Sequence, residues 1–174
     1  RSLPSMGVNQ WSYKRGFSPD MTIQCDHPKF LPVSAFRDWR IINFIRTEYA
    51  HHLCSDGKTQ PTGHPNVGFF DCQVAFVNAE TFLDEDGIKW CEKPMYLRYS
   101  VRSTFLAALK MLWEFKFRTV YLVGVDFYPA RKDRHFETMN HLMLRMAPHF
   151  AQRGYNVINL TPAGNPPSQL EAFE

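Results

Sequence analysis

The segment Thr119-Val-Tyr-Leu-Val-Gly-Val-Asp126-Phe-Tyr128 limits the folds open to this chain more than any other. Val120, Tyr121, Leu122 and Val123 favour β-structure and follow one another without a break. At Gly124 the chain turns polar and runs on into Arg131-Lys-Asp-Arg-His135. An unbroken apolar run closed by a glycine predicts a buried parallel strand that ends at a functional edge. Ligands of open α/β sheets bind outside the carboxyl ends of the strands. Asp126, Tyr128 and His135 are therefore expected where chemistry would sit.

Helical periodicity flanks that strand on both sides. Over Ser103–Phe117 an apolar face is formed by Phe105, Leu106, Leu109, Met111, Leu112, Trp113 and Phe115, with Ser100 or Ser103 as cap. Over Phe136–Arg153 the residues Met139, Leu142, Met143, Met146 and Phe150 recur at helical spacing, and Gly154 suits the C′ position. Tyr155–Leu160 predicts a closing strand. Earlier strands are expected at Met21–Cys25, Arg40–Ile45 and Gln73–Val77, a short strand or turn at Met6–Trp11, and one helical turn at Ser34–Trp39. His51–Phe69, rich in Gly, Pro, Asp, Asn and His, reads as a long surface loop, and Glu80–Met95 as irregular. Strand–helix–strand–helix–strand order with right-handed crossovers predicts an α/β fold, a Rossmann-like three-layer sandwich with a mostly parallel sheet.

At 174 residues the length fits one domain, 1–174, and a 15% aromatic share argues against disorder. Net charge is +3, and the basic residues are scattered rather than gathered on one face, which argues against a nucleic-acid partner. Cys25, Cys54, Cys72 and Cys91 form no Cys-x-x-Cys pair, so neither a zinc knuckle nor a redox dithiol is expected, and free thiols fit a cytoplasmic location. No apolar run approaches the roughly 20 residues that span a bilayer. The chain begins at Arg1, which suggests a removed leader or a missing upstream segment.

Three clusters can carry chemistry. Asn9-Gln10 offers amide donors and acceptors that suit a nucleobase edge or a sugar hydroxyl; in a turn the same groups bond nearby backbone. Tyr99–Thr104, expected at a helix N-terminus, combines backbone N–H groups, hydroxyls and the Arg102 guanidinium, which suits a phosphate or carboxylate. The same atoms also make an ordinary cap. In the third cluster, Asp126, Tyr128, Arg131, Arg134 and His135, a phenol can donate to a leaving phosphate and an imidazole can take a proton. The alternative has His135 flanking the next helix and both arginines facing water. His51, His52 and His64 lack ligand partners at metal-binding spacing, and His141 and His149 fall inside a helix. Phosphate-loop, Gly-x-Gly-x-x-Gly and Gly-x-Ser-x-Gly motifs are absent from the sequence, against P-loop ATPase, ordinary NAD and esterase chemistry.

In this order, the pieces resemble the CMP-sialic-acid-dependent sialyltransferases of bacterial surface glycans. They also resemble related phage and bacterial proteins, including the 6-hydroxymethylpterin diphosphokinase-like family. The matching segments are Gly7–Trp11, Pro19-Asp20 with the strand to Asp26, Ser100–Ser103, Val120–Tyr128, Leu144–Phe150 and Val157–Pro162. The resemblance implies a GT-A-like fold and an enzyme that binds a nucleotide or nucleotide sugar and needs no metal or other cofactor for its chemistry. It implies that Asn9 contacts the nucleotide, that Ser100–Ser103 replaces an Asn-Ser-Gly turn holding the donor, and that Tyr128 assists phosphate departure. His135 is the expected general base. Asn9, Gln10, Asp26, Ser100, Arg102, Ser103, Gly124 and Asp126 are the expected nucleotide-binding set. Nothing before Met6 supplies the family's opening strand and Gly-rich loop. Two other readings use the same scaffold: a Mg²⁺-dependent nucleotide or pterin phosphotransferase, with Asp133 or Glu137 as candidate partners of Asp126, and a non-catalytic, phage-encoded assembly protein that forms a homo-oligomer through Trp11, Trp39 and Trp90.

Overall fold

The computed structural model describes residues 3–8, 18–25, 36, 38–73, 79–80, 82–83, 96–100, 104–125 and 134–160, with the backbone alone at 71–73, 96–100 and 134–140. The chain is α/β with parallel strand pairing, and it divides into two compact units, residues 1–77 with 86–111, and residues 78–85 with 112–174.

The first unit carries a five-stranded sheet: β1 (Met6–Val8), β2 (Met21–Gln24), β3 (Ile42–Arg46), β4 (Val67–Gln73) and β5 (Tyr96–Ser100). Spatial order follows chain order, and all four pairings are parallel. Right-handed crossovers that step to the same side would put the β2–β3 and β3–β4 connections on one face of the sheet. The packing agrees. Phe36, from between β2 and β3, and Cys54 and Tyr49, from between β3 and β4, cluster with Ile45, Val67 and Phe69, which the register puts on one face. The opposite face buries Ile23, Phe44 and Phe70 almost completely. Burial on both faces is what parallel pairing demands, and all four residues of β2 are buried.

Ser5 and Asp20 set the start of this sheet. The Ser5 amide and hydroxyl both donate to Asp20 Oδ2, at 2.8 and 2.9 Å, while the Asp20 amide donates back to Ser5 Oγ at 3.2 Å. The bonds from Ser5 hold the Asp20 carboxyl below its usual pKa. The Met21 amide donates to the Ser5 carbonyl at 3.0 Å.

Three expectations change here. The stretch expected as a loop to Phe69 gives way to β4 at Val67, and Cys54, Pro61 and Asn66 within it are buried. Asp56 organises this stretch by accepting from the Thr59 hydroxyl at 2.6 Å and from the Thr59 and Lys58 amides at 2.9 and 3.0 Å. The strand expected at Gln73–Val77 therefore begins six residues earlier, and 74–77 lie outside the described residues. Tyr99 and Ser100, expected at a helix start, end β5 instead, and helix α1 (Thr104–Glu114) begins four residues after Ser100.

The second unit pairs β6 (Thr119–Leu122) in parallel with β7 (Asn156–Asn159) around helix α2 (Arg134–Gln152). Met143, Met146 and Phe150 of α2 are buried, as are Phe82, Leu122, Tyr155 and Val157. Tyr155 meets the Phe150 and Trp113 rings, each with centroids 5.3 Å away, and Phe82 meets Phe150 at 5.9 Å. The Arg118 guanidinium stacks 3.9 Å from the Trp113 ring centroid. Both helices end in a Schellman motif. Tyr155 and Gly154 amides donate to Phe150 and Ala151 carbonyls after α2, and Phe117 and Lys116 amides donate to Leu112 and Trp113 after α1. Gly154 takes the left-handed position at φ 67°, as its sequence position predicts; Lys116 takes the same position with a side chain, at φ 68°.

β6 is parallel as expected, but it is not a buried strand. Leu122 is buried while Tyr121 and Val123 are exposed, because β6 lies in a sheet of two strands. Among the described residues, no helix is long and apolar enough to cross a membrane.

Candidate functional site

β2 and β3 are neighbours in the parallel sheet, so their last residues share one carboxyl edge. Gln24 ends β2, Arg46 ends β3, and Thr47 opens the short 3₁₀ turn Thr47–Tyr49. Register sets Gln24 beside Ile45, on the face covered by Phe36 and Cys54.

Gln24 is only 3% exposed, yet neither its Nε2 nor its Oε1 has a hydrogen-bond partner, and the Thr47 Oγ1 is likewise buried without one. Native interiors satisfy nearly all buried polar groups, and each unsatisfied one costs about 1–3 kcal/mol.

The other buried polar side chains on this face behave differently. One pleat earlier, Thr22 and Asn43 are register partners. The Thr22 hydroxyl donates to Asn43 Oδ1 at 2.8 Å, and Asn43 Nδ2 donates to the Ile41 carbonyl at 3.1 Å. Asn66 adds a second bond to the Ile41 carbonyl at 2.9 Å and one to Asp38 at 3.2 Å. The amino edge of the sheet is a closed network. At the carboxyl edge a carboxamide and a hydroxyl are buried without partners.

Charge is present at this edge and is held in place. Arg46 Nη2 lies 2.9 Å from Glu48 Oε1, and its guanidinium is 5.3 Å from the Tyr49 ring centroid. The two strand ends thus carry two amide donors and a carbonyl acceptor at Gln24 and a hydroxyl at Thr47, all shielded from solvent, and an ion-paired guanidinium at Arg46. This inventory suits binding a neutral planar group near an anion.

The Cys54 thiol does not add a nucleophile nearby. Burial, reinforced by the Asp56 carboxylate, pushes its pKa up to about 11, so it stays protonated at neutral pH. Among the described residues no group of three or more His, Cys, Asp or Glu side chains is placed to hold a metal ion.

Of the residues singled out in the sequence, Asn9, Gln10, Asp26, Arg102, Ser103, Asp126 and Tyr128 lie outside the described residues. Ser100 is the last residue of β5, in the first unit. Gly124 follows β6 with φ 68°, a conformation that favours glycine, and His135 is the second residue of α2; both belong to the second unit. Trp39 is 78% exposed, while Trp11 and Trp90 lie outside the described residues.

Sequence reasoning missed Gln24, Arg46 and Thr47. In Met21-Thr-Ile-Gln24 the apolar and polar residues alternate, the usual mark of a strand with one wet face. Full burial of β2 reverses that meaning, because a polar residue inside a doubly covered strand needs a partner. Comparison with protein-family models, with curated proteins and with solved structures finds no match for this chain.

Proposed function

We propose that this protein is a glycosyltransferase that uses a nucleotide-sugar donor, sialyltransferase-like in its motifs and Rossmann-like, or GT-A-like, in its layering. The observation that supports the reading best is the buried, unpartnered carboxamide of Gln24, with the Thr47 hydroxyl, at the carboxyl edge of a parallel sheet. Ligands of open α/β sheets bind on the carboxyl side of the strands, at a reversal of strand order; β1–β5 run in chain order, so the support here is the carboxyl side and the buried carboxamide. The resemblance adds the roles. By that resemblance Asn9, Gln10 and Asp26 contact the nucleotide, and Ser100, Arg102 and Ser103 hold the donor.

In the proposed reaction His135 removes the proton of the acceptor hydroxyl as its oxygen attacks the anomeric carbon. The bond from that carbon to the phosphate oxygen breaks with inversion, and the nucleotide leaves with the electron pair. Tyr128 stabilises the departing phosphate by hydrogen bonding.

Calorimetric titration with CMP, UDP and GDP sugars, paired with an assay for donor hydrolysis, tests the reading. Saturable binding of one donor class, followed by its slow hydrolysis, is expected. The absence of binding by every donor removes the proposal. Binding of ATP that depends on added Mg²⁺ would move the assignment to a phosphotransferase.

A further inference from the structure

We propose that the Gln24 carboxamide is the base-reading group of this protein, taking the paired donor and acceptor of a nucleobase edge. The inference rests on the nucleotide reading above and assigns it a residue and a ligand moiety. Three observations lead to it.

Both polar atoms of this side chain are buried and unpartnered, so one planar group carrying a donor beside an acceptor would satisfy them together. A glutamine pairs with a base edge in this bidentate way. Next, the described neighbours of Gln24 toward β3 are apolar. The neighbour of Gln24 on its face is Ile45, part of the cluster with Phe36, Cys54, Val67, Tyr49 and Phe69. Burying a charged phosphate against Ile45 costs far more hydration than burying an uncharged base. Finally, Gln24 ends its strand at the carboxyl edge, and on the adjoining strand end stand the Thr47 hydroxyl and the Arg46 guanidinium. Base at Gln24 and phosphate toward Arg46 and Thr47 is the division of labour that the chemistry of the two strand ends favours.

The test is isothermal titration of the full chain and of Gln24→Met with cytidine, uridine, adenosine and guanosine, with their monophosphates, and with ribose 5-phosphate. Thermal unfolding of Gln24→Met, expected at or above the wild-type midpoint, shows that the variant is folded. Loss of two hydrogen bonds should weaken the preferred nucleoside and its monophosphate by about tenfold to a hundredfold, with ribose 5-phosphate unchanged. Gln24→Glu, which keeps the shape but has no amide donors, should not restore base binding. Equal weakening of ribose 5-phosphate would overturn the assignment to the base. Undiminished nucleoside binding by a folded Gln24→Met would overturn it as well, showing that buried water fills the carboxamide, while leaving the nucleotide reading intact. Failure of the wild-type chain to bind any nucleotide would overturn both.

Discussion

Replacing Gln24 by Met and replacing Asn43 by Leu each remove a buried carboxamide at nearly constant volume, on the same face of adjacent strands. The two substitutions should nevertheless change stability in opposite directions. In wild type Gln24 holds two unsatisfied atoms out of water. Gln24→Met abolishes that penalty and should stabilise the protein by about 1–3 kcal/mol. Asn43 is the acceptor for the Thr22 hydroxyl at 2.8 Å. Asn43→Leu strands that hydroxyl in the interior and should destabilise by about 1–3 kcal/mol. The Ile41 carbonyl keeps its bond from Asn66 at 2.9 Å, so it adds little to the loss. The variants should therefore differ by about 2–6 kcal/mol, and each kilocalorie moves the melting midpoint by about 2–4 °C at this chain length. Urea unfolding gives both values, provided the slope with denaturant is unchanged. Thr22→Val combined with Asn43→Leu should recover most of the loss, because no buried hydroxyl remains. Destabilisation by Gln24→Met comparable to that of Asn43→Leu would refute the reasoning, since it would mean that the Gln24 carboxamide is satisfied in the folded protein.

The helix ends and the turn at Asp56 give further tests. Lys116 occupies a left-handed position at φ 68°, so Lys116→Gly should stabilise by about 1 kcal/mol in urea unfolding. Gly154→Ala should destabilise by a similar amount, about 1 kcal/mol, and for conformational reasons alone, because a Cβ at Gly154 meets nothing within 4 Å. The Thr59 and Lys58 hydrogen bonds lower the Asp56 carboxyl from 3.8 to about 2. The turn is thus fully held above pH 3.8 and loosens as pH falls through about 2; a carboxyl carbon titration by NMR with its midpoint near 3.8 would contradict this. Cys54, with its thiol pushed up to about 11, should resist alkylation by iodoacetamide at pH 8 in the folded protein, as read by peptide mass mapping, and react on unfolding.

Element identity was legible in the sequence where a period was strong. The apolar stripe Met143–Met146–Phe150 marks α2, and Gly154 marks its end, because helix spacing and a left-handed cap leave separate, local signatures. β2 and β3 were legible from their composition. β5 was not, because Ser100, Ser103 and Thr104 serve equally well to end a strand and to cap a helix, and only tertiary pairing with β4 decides that Tyr96–Ser100 is extended. The shift of β4 has a similar origin. Pro61, Gly63 and His64 suggested loop as far as Phe69, but pairing of Val67 with Asn43 draws the residues from Val67 onward into the sheet. The carboxyl-edge site escaped notice for a different reason. Whether a glutamine in a strand faces water or interior depends on what covers the sheet, and alternation within four residues carries no information about that.

The most direct measurement is a titration of the ¹⁵N-labelled protein with its preferred nucleotide sugar, following backbone and side-chain amide resonances. The account predicts that the Gln24 side-chain NH₂ pair shifts strongly, together with the backbone amides of Cys25, Arg46 and Thr47, while those of the satisfied Thr22–Asn43 pair stay in place. Saturating ligand that leaves the Gln24 NH₂ pair unmoved, or moves residues at the amino edge instead, would contradict the claim that this protein binds a nucleotide at the carboxyl edge of β2 and β3.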